Sequence, residues 1–249
     1  YFKCHGVHGR TDLLKAIEES CNTFFYRMIL KIGFDRWAKY QRMFGFGSRT
    51  GIDLNSESPG IVPDTEYYDK VYGEGKWTKG NLISLAIGQG ELSVTPLQLA
   101  QYTAFMANKG KTVTPHLVKG MISKNTNTFV PFDYEEKTLD VSKESLEYAR
   151  KGMHEVMHGD GGTARWYRVK GIEMAGKTGT AQNPHGEDHA LFIAFAPYEN
   201  PKIAVAVIVE NIGFGSTHAA PVARDVIDTY LNNQKTQNFK NLVAEKLSE

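Results

Sequence analysis

The sequence predicts an α/β (α+β) sandwich built on one antiparallel sheet. Two observations carry this. Helical apolar periodicity dominates up to about residue 158, whereas three strand-like runs follow one another between residues 173 and 210. The links between those runs are short, which favours antiparallel pairing, and an amphipathic segment after them can cover one sheet face.

Residues 1–10, rich in Gly and His, read as an entry loop. Thr11 or Asp12 can cap a helix that carries Leu14, Ile17, Cys21, Phe24, Phe25, Met28 and Ile32 to a stop at Gly33. Within that run stands Ser20-Cys21-Asn22. On an unbroken helix residues two apart point about 200° away from each other, so a shared role for Ser20 and Asn22 requires a break. Asn22 could then cap a second helix starting at Thr23. Residues 34–44 form a short helix, and the turn-rich stretch 45–54 follows. Residues 55–80, with Pro59, Pro63 and several glycines, read as a long surface loop. Asn81–Gly88 is a short helical segment, and Thr95 with Pro96 opens a strong helix bearing Leu99, Tyr102, Phe105 and Met106. Val113–Met121 reads as extended and 122–140 as a loop or small hairpin. Ser142 caps a helix with Leu146, Ala149, Met153, Val156 and Met157 in one stripe, ended by the flexible turn 159–164. The strand candidates are Glu173–Ala181, Ala190–Ala196 and Ile203–Glu210. The last helix, about Ala219–Leu231, offers Val222, Val226, Ile227 and Tyr230 to the sheet, and the polar tail 232–249 reads as frayed helix or disorder.

Size and charge narrow the function. Hydrophobic residues make up 41% of 249, enough for a substantial core, and the net charge of +1 gives no sign of a nucleic-acid partner. The apolar run Ile203–Val209 is too short to span a bilayer. Two cysteines make no disulfide framework, and a chain opening on Tyr1 without Met reads as a segment of a longer protein.

The chemistry centres on Lys177-Thr178-Gly179, the chain's only such triplet. On an edge strand it makes a small anion-binding device. The ammonium attracts a carboxylate, the hydroxyl donates to it, and the side-chain-free Gly lets a substrate backbone approach. This triplet belongs with Ser-x-x-Lys and a Ser-x-Asn element in β-lactamases and penicillin-binding proteins.

Taken in order, Ser20-Cys21-Asn22, Phe44-Gly45-Phe46-Gly47, Thr50-Gly51-Ile52-Asp53-Leu54, Ala86-Ile87-Gly88-Gln89-Gly90, Val94-Thr95-Pro96-Leu97-Gln98-Leu99-Ala100 and Gly176-Lys177-Thr178-Gly179-Thr180-Ala181-Gln182 resemble the transpeptidase domain of class B penicillin-binding proteins. The resemblance runs from about residue 5 to residue 231, and the His-Gly pair just before the first helix points to the elongation-type branch, the penicillin-binding protein 2 group. It implies the penicillin-binding/serine β-lactamase-like fold, an antiparallel sheet with helices on both faces plus a helical subdomain. On that basis residues 1–231 are the C-terminal part of a transpeptidase domain, with a helical part at about 11–158 and a sheet part at about 172–231.

The implied activity is D,D-transpeptidation. A serine attacks the penultimate carbonyl of a D-Ala-D-Ala stem peptide, and an amine from a neighbouring stem resolves the acyl-enzyme. Ser20 matches the relay serine and Asn22 the residue that hydrogen-bonds the substrate amide. Lys177 matches the source of positive potential that supports the relay, and Thr178 and Thr180 the hydroxyls that hold the substrate carboxylate. The Thr180 N–H matches one half of the oxyanion hole. Implied partners are peptidoglycan stem peptides, β-lactam antibiotics and membrane proteins of the elongation machinery. The implied location is the periplasmic or extracytoplasmic face, through an N-terminal anchor that this chain lacks.

One departure from the pattern is large: Ser-x-x-Lys occurs nowhere in the 249 residues. In the family that element precedes Ser-x-Asn by several dozen residues, so the nucleophile, its Lys and the other oxyanion N–H are expected upstream of Tyr1. The chain alone is then expected not to acylate. A β-lactam-sensing or catalytically silent scaffold module would share the Lys-Thr-Gly strand, and a genuine absence of Ser-x-x-Lys from the parent would favour it. A serine β-lactamase fits less well, given the Gly-Gln-Gly and Val-Thr-Pro-Leu-Gln-Leu elements. Two further matches read blandly: Ser123-Lys124-Asn125 as a surface loop, and His189 as a strand-end histidine.

No cofactor is required by this chemistry. Cys4, His5, His8 and Cys21 nonetheless form a second constellation, since thiolate and imidazole near a helix start suit Zn²⁺. The resemblance adds a metal beside the Ser-x-Asn element in some elongation-type relatives, with Cys21 and His8 at ligand positions. A disulfide between Cys4 and Cys21, or free thiols, are the alternatives.

Overall fold

The computed structural model describes residues 2–246. In chain order the elements are α1 (Leu13–Glu18), α2 (Asn22–Ile32), α3 (Phe34–Met43), α4 (Thr65–Tyr72), α5 (Lys79–Leu85) and α6 (Pro96–Ala107). Then come β1 (Lys111–Val113), β2 (Gly120–Ile122), β3 (Phe129–Pro131), β4 (Glu136–Thr138), α7 (Lys143–His158), β5 (Ala175–Ala181), β6 (His189–Ala196), β7 (Ile203–Val209) and α8 (Gly215–Lys246). They divide into two compact units, one of residues 1–9 and 21–147, the other of residues 10–20 and 148–249. The division therefore differs from a helical part ending at 158. Helix α1 and most of α7 belong with the sheet, because Ile17 packs so closely on Gly152 that a Cβ there would stand 2.7 Å from the Ile17 Cδ1.

The first unit is helical around an aromatic core. The break at Ser20-Cys21-Asn22 is present, but Cys21 rather than Asn22 occupies the N-cap of α2. The 55–80 region is not wholly loop. Asp64 caps α4 by accepting the Tyr67 N–H at 2.9 Å, and Tyr68 is fully buried against Phe34 and Trp77. Two turns of helix flanked by Pro and Gly leave a weak sequence pattern, and the fold holds this one by tertiary aromatic packing. Thr78 and Asn81 form a capping box on α5, as Thr95 and Gln98 do on α6. The stretch expected to be extended, 113–121, splits between two small sheets: β1 pairs with β4, and β2 with β3.

The second unit holds the main sheet, antiparallel in the order β5-β6-β7, with β5 at one edge. Lys177 lies opposite Ile193, and Thr178 opposite Phe192. On one face Ala190, Phe192, Ala194 and Ala196 pack with Ala219, Ala220, Ala223 and Ile227 of α8. On the other, the guanidinium of Arg150 from α7 lies over the rings of Phe195 and Tyr198, at 4.8 and 5.0 Å. Helices thus cover both faces, as the fold class requires.

Helix α8 departs from its expected form in two ways. It starts at Gly215 with Pro221 inside it, and of the four residues expected to face the sheet only Ile227 is buried, beside the alanines, while Val222, Val226 and Tyr230 are exposed. Small residues let the helix approach the sheet closely. It continues to Lys246, so the tail is helical as far as it is described, and residues 247–249 lie outside the described residues. No described helix is long and apolar enough to cross a membrane.

Candidate active site

Lys177 and Ser20 meet in the sheet unit. Helix α1 ends at Glu18, and the chain turns through Ser20 in a left-handed conformation, φ 55°. A non-glycine residue pays about 1–2 kcal/mol for that conformation. The turn directs the Ser20 hydroxyl at the Lys177 Nζ, which donates a hydrogen bond to it. The same ammonium donates to the Thr178 carbonyl at 3.1 Å and lies 3.4 Å from the Thr178 Oγ1. Burial of the Lys177 ammonium pushes its pKa down from 10.5 to about 8.

Strand β5 fixes the remaining hydroxyls. Thr178 Oγ1 shares a hydrogen bond of 2.9 Å with Thr163 Oγ1. Thr180 Oγ1 accepts the Gly215 N–H at 3.4 Å, from the first residue of α8. A Cβ on Gly215 would stand 2.1 Å from the Gly179 carbonyl oxygen, so only glycine lets α8 begin this close to the strand. Gly176 is also constrained, since a Cβ there would meet the Phe192 ring at 2.7 Å. Gly179 has less company: a Cβ would stand 3.2 Å from that of Leu191.

Thr163 was not legible as a site residue. It stands in the glycine-rich turn 159–164, whose composition signals flexibility alone. The turn is in fact tied down, with the Gly161 N–H on the Glu18 carboxylate at 2.8 Å and the Thr163 N–H on the Glu18 carbonyl at 3.4 Å. Glu18 lies two residues before Ser20, so both hydroxyl-bearing turns are braced by one residue.

Asn22, Cys21, Cys4 and His8 belong to the helical unit. The Asn22 N–H donates to the Cys4 Sγ at 3.2 Å, so a thiol from the entry loop satisfies an orphan donor at the start of α2. Burial and the nearby Cys4 raise the pKa of Tyr26, one turn on, and the Asn22 side chain pulls it the other way. Cys4 Sγ also lies 3.5 Å from His8 Nδ1 and 3.7 Å from His5 Nδ1. Burial raises the Cys4 pKa, but the N–H groups of Gly6, Thr23, Asn22 and His5 outweigh it and hold the thiol below its ordinary value. Cys21 is buried, with its Sγ 3.4 Å from Thr23 Oγ1, and the two cysteines are not joined. One donor atom each from Cys4, His8 and Cys21 lies within 4.8 Å of the others. Two soft sulfurs and an imidazole so disposed, one already inclined to thiolate, fit three corners of a Zn²⁺ tetrahedron.

The bland matches keep their bland roles. Ser123 lies in the β2–β3 hairpin turn, its N–H on the Thr128 carbonyl, and His189 Nδ1 accepts the Asn211 N–H at 3.1 Å.

Residues 2–228 match the family model for the penicillin-binding protein transpeptidase domain. The chain belongs to that family. The peptidoglycan D,D-transpeptidase MrdA of Haemophilus influenzae is 41% identical over 251 residues, covering 92% of this chain and 38% of that protein. Among solved structures, penicillin-binding protein 2 of Pseudomonas aeruginosa, in complex with WCK 5153, superposes with a TM-score of 0.77 at 40% identity, over 89% of this chain and 47% of that one. Penicillin-binding protein 2 of Helicobacter pylori, solved as a complex with MreC, gives 0.77 at 36% identity, over 91% and 41%. These names agree with the penicillin-binding protein 2 group expected from the sequence. The chain spans 38% of the Haemophilus influenzae relative and less than half of each of these solved chains.

Proposed function

We propose that this chain is the substrate-binding wall and proton-relay part of a peptidoglycan D,D-transpeptidase of the elongation machinery. One observation carries the reading: Lys177 Nζ donates to Ser20 Oγ across 157 residues of sequence. A lysine whose pKa is lowered to about 8 beside a serine hydroxyl is suited to pass protons near neutral pH. Ser20 relays the proton between the nucleophile and the leaving D-Ala amine, and Lys177 supplies positive potential. Thr178 and Thr180 bind the terminal carboxylate of D-Ala-D-Ala, or that of a β-lactam. Asn22 holds the substrate amide, and the Thr180 N–H polarises the scissile carbonyl.

The nucleophilic serine, its Lys and the second oxyanion donor come from the parent protein. The parent works at the outer face of the cytoplasmic membrane, to which an N-terminal segment anchors it, and meets its partners there. A structural Zn²⁺ held by Cys4, His8, Cys21 and a fourth donor would fix the entry loop to the start of α2, next to Asn22.

The test is intact mass of the full-length parent and of this chain, each incubated with a penicillin. The expected result is a one-to-one covalent adduct on the parent only, mapping to a serine upstream of Tyr1. An adduct on this chain alone would mean the nucleophile is misplaced. No adduct on either would make the protein a silent scaffold.

A further inference from the structure

A second group of donors, with no cysteine among them, stands in the sheet unit. His154 and His158 lie one turn apart at the end of α7, their rings stacked at 4.3 Å and inclined by only 12°. Glu173, two residues ahead of β5, faces both: its Oε2 is 2.7 Å from His154 Nε2 and 3.6 Å from His158 Nε2. Donor atoms from the three residues fall within 4.8 Å of one another. The strand side is anchored, since the Glu173 carbonyl accepts the Tyr198 N–H at 2.9 Å.

A plain ion pair does not account for this arrangement. One imidazolium suffices for Glu173, and an exposed pair of that kind contributes about 0–1 kcal/mol. A second imidazole stacked on the first would add a like charge. The His158 Nε2 that faces Glu173 also accepts the Met174 N–H, at 3.4 Å a contact long enough for a metal ion to displace. The carbonyl end of α7 further favours a cation at its last turn.

We propose that His154, His158 and Glu173 form a divalent transition-metal site, separate from the thiolate site and taking Zn²⁺ through two imidazoles and a carboxylate. Imidazole donors suit Zn²⁺, Ni²⁺ and Cu²⁺, and a three-donor set leaves a position for water. The ion would clamp the last turn of α7 to the entry of β5. That clamp bears on the adjoining turn, whose Thr163 meets Thr178. The role is structural, so binding rather than turnover is the readout.

The experiment is titration of the metal-free full-length parent with Co²⁺, followed by absorption. With Cys4→Ser and Cys21→Ser in place, one Co²⁺ equivalent should still bind, showing d–d bands without a thiolate charge-transfer band. Adding His154→Gln should weaken that equivalent by about tenfold or more. Glu173→Gln, at a side chain 66% exposed, should weaken it without a folding defect. Absence of a sulfur-free equivalent overturns the proposal, as does an equivalent indifferent to both His154→Gln and Glu173→Gln.

Discussion

At Lys177 a single charge serves two opposed demands. On the proposed reading a substrate carboxylate calls for an ammonium, whereas the enclosure that brings Nζ to Ser20 disfavours one. With the folded pKa near 8 and the unfolded one near 10.5, the native state holds fewer protons than the unfolded chain across that window. Stability contributed by this residue therefore rises with pH between those values. Function runs the other way: the second-order acylation rate of the parent, which reports the free enzyme, should fall as pH rises through about 8. Lys177→Arg should flatten that limb, because guanidinium stays charged. Lys177→Ala should lower acylation by orders of magnitude while leaving thermal stability unchanged or raised, since it removes a buried charge. Unaltered acylation would discard the assigned role. Ser20 offers a matching separation of stability from activity. Ser20→Gly relieves the left-handed backbone but adds unfolded-state entropy, so stability should move by less than about 1 kcal/mol. Acylation should nevertheless collapse with the relay hydroxyl gone. The Lys177–Ser20 pair was legible from motif order alone; Thr163 was not, because nothing in a glycine-rich turn says what its one hydroxyl will touch.

Elements were legible wherever a local signal fixed them. The Thr95-Pro96 start of α6 and the alternation of β6 depend on caps and periods that the chain writes in one place. Helix α4 depends instead on Tyr68 reaching Phe34 and Trp77, contacts that no window around residue 68 contains. The rotated inner face of α8 has the same origin. By hydropathy Val222, Val226, Ile227 and Tyr230 look like the inner stripe, but the sheet face is already filled by Phe192 and the β7 valines, so α8 turns its alanines inward together with Ile227 and Leu231. Close approach is tightest at Gly215. Gly215→Ala would drive a methyl to 2.1 Å from the Gly179 carbonyl, forcing α8 away from the strand that bears Lys177. A loss of about 1–3 kcal/mol is expected in chemical denaturation, together with weaker β-lactam acylation of the parent. An unchanged midpoint would mean that α8 does not start where the Gly215–Thr180 contact places it.

For the molecule as a whole, the sheet has a consequence of its own. Strand β5 ends the sheet on the side of the site, where an open edge suits a strand-like substrate. Strand β7 ends it on the other side, and no described strand pairs with its outer edge. Seven residues, Ile203-Ala204-Val205-Ala206-Val207-Ile208-Val209, carry neither Pro, nor charge, nor bulge, and all are only half-buried. Proteins rarely leave such an edge bare, because its free N–H and C=O groups template pairing with another chain. The relatives are more than twice as long as this chain, so the parent has sequence to spare for covering the edge. The isolated 249-residue chain should therefore associate, edge to edge, at concentrations where the full-length parent does not. Light scattering behind size-exclusion chromatography reads this directly. Ile208→Lys places a charge on the exposed edge and should shift the isolated chain toward monomer, with far-UV dichroism confirming that it remains folded. A wild-type chain that stays monomeric, and is indifferent to Ile208→Lys, would mean that the β7 edge is protected from within the chain itself.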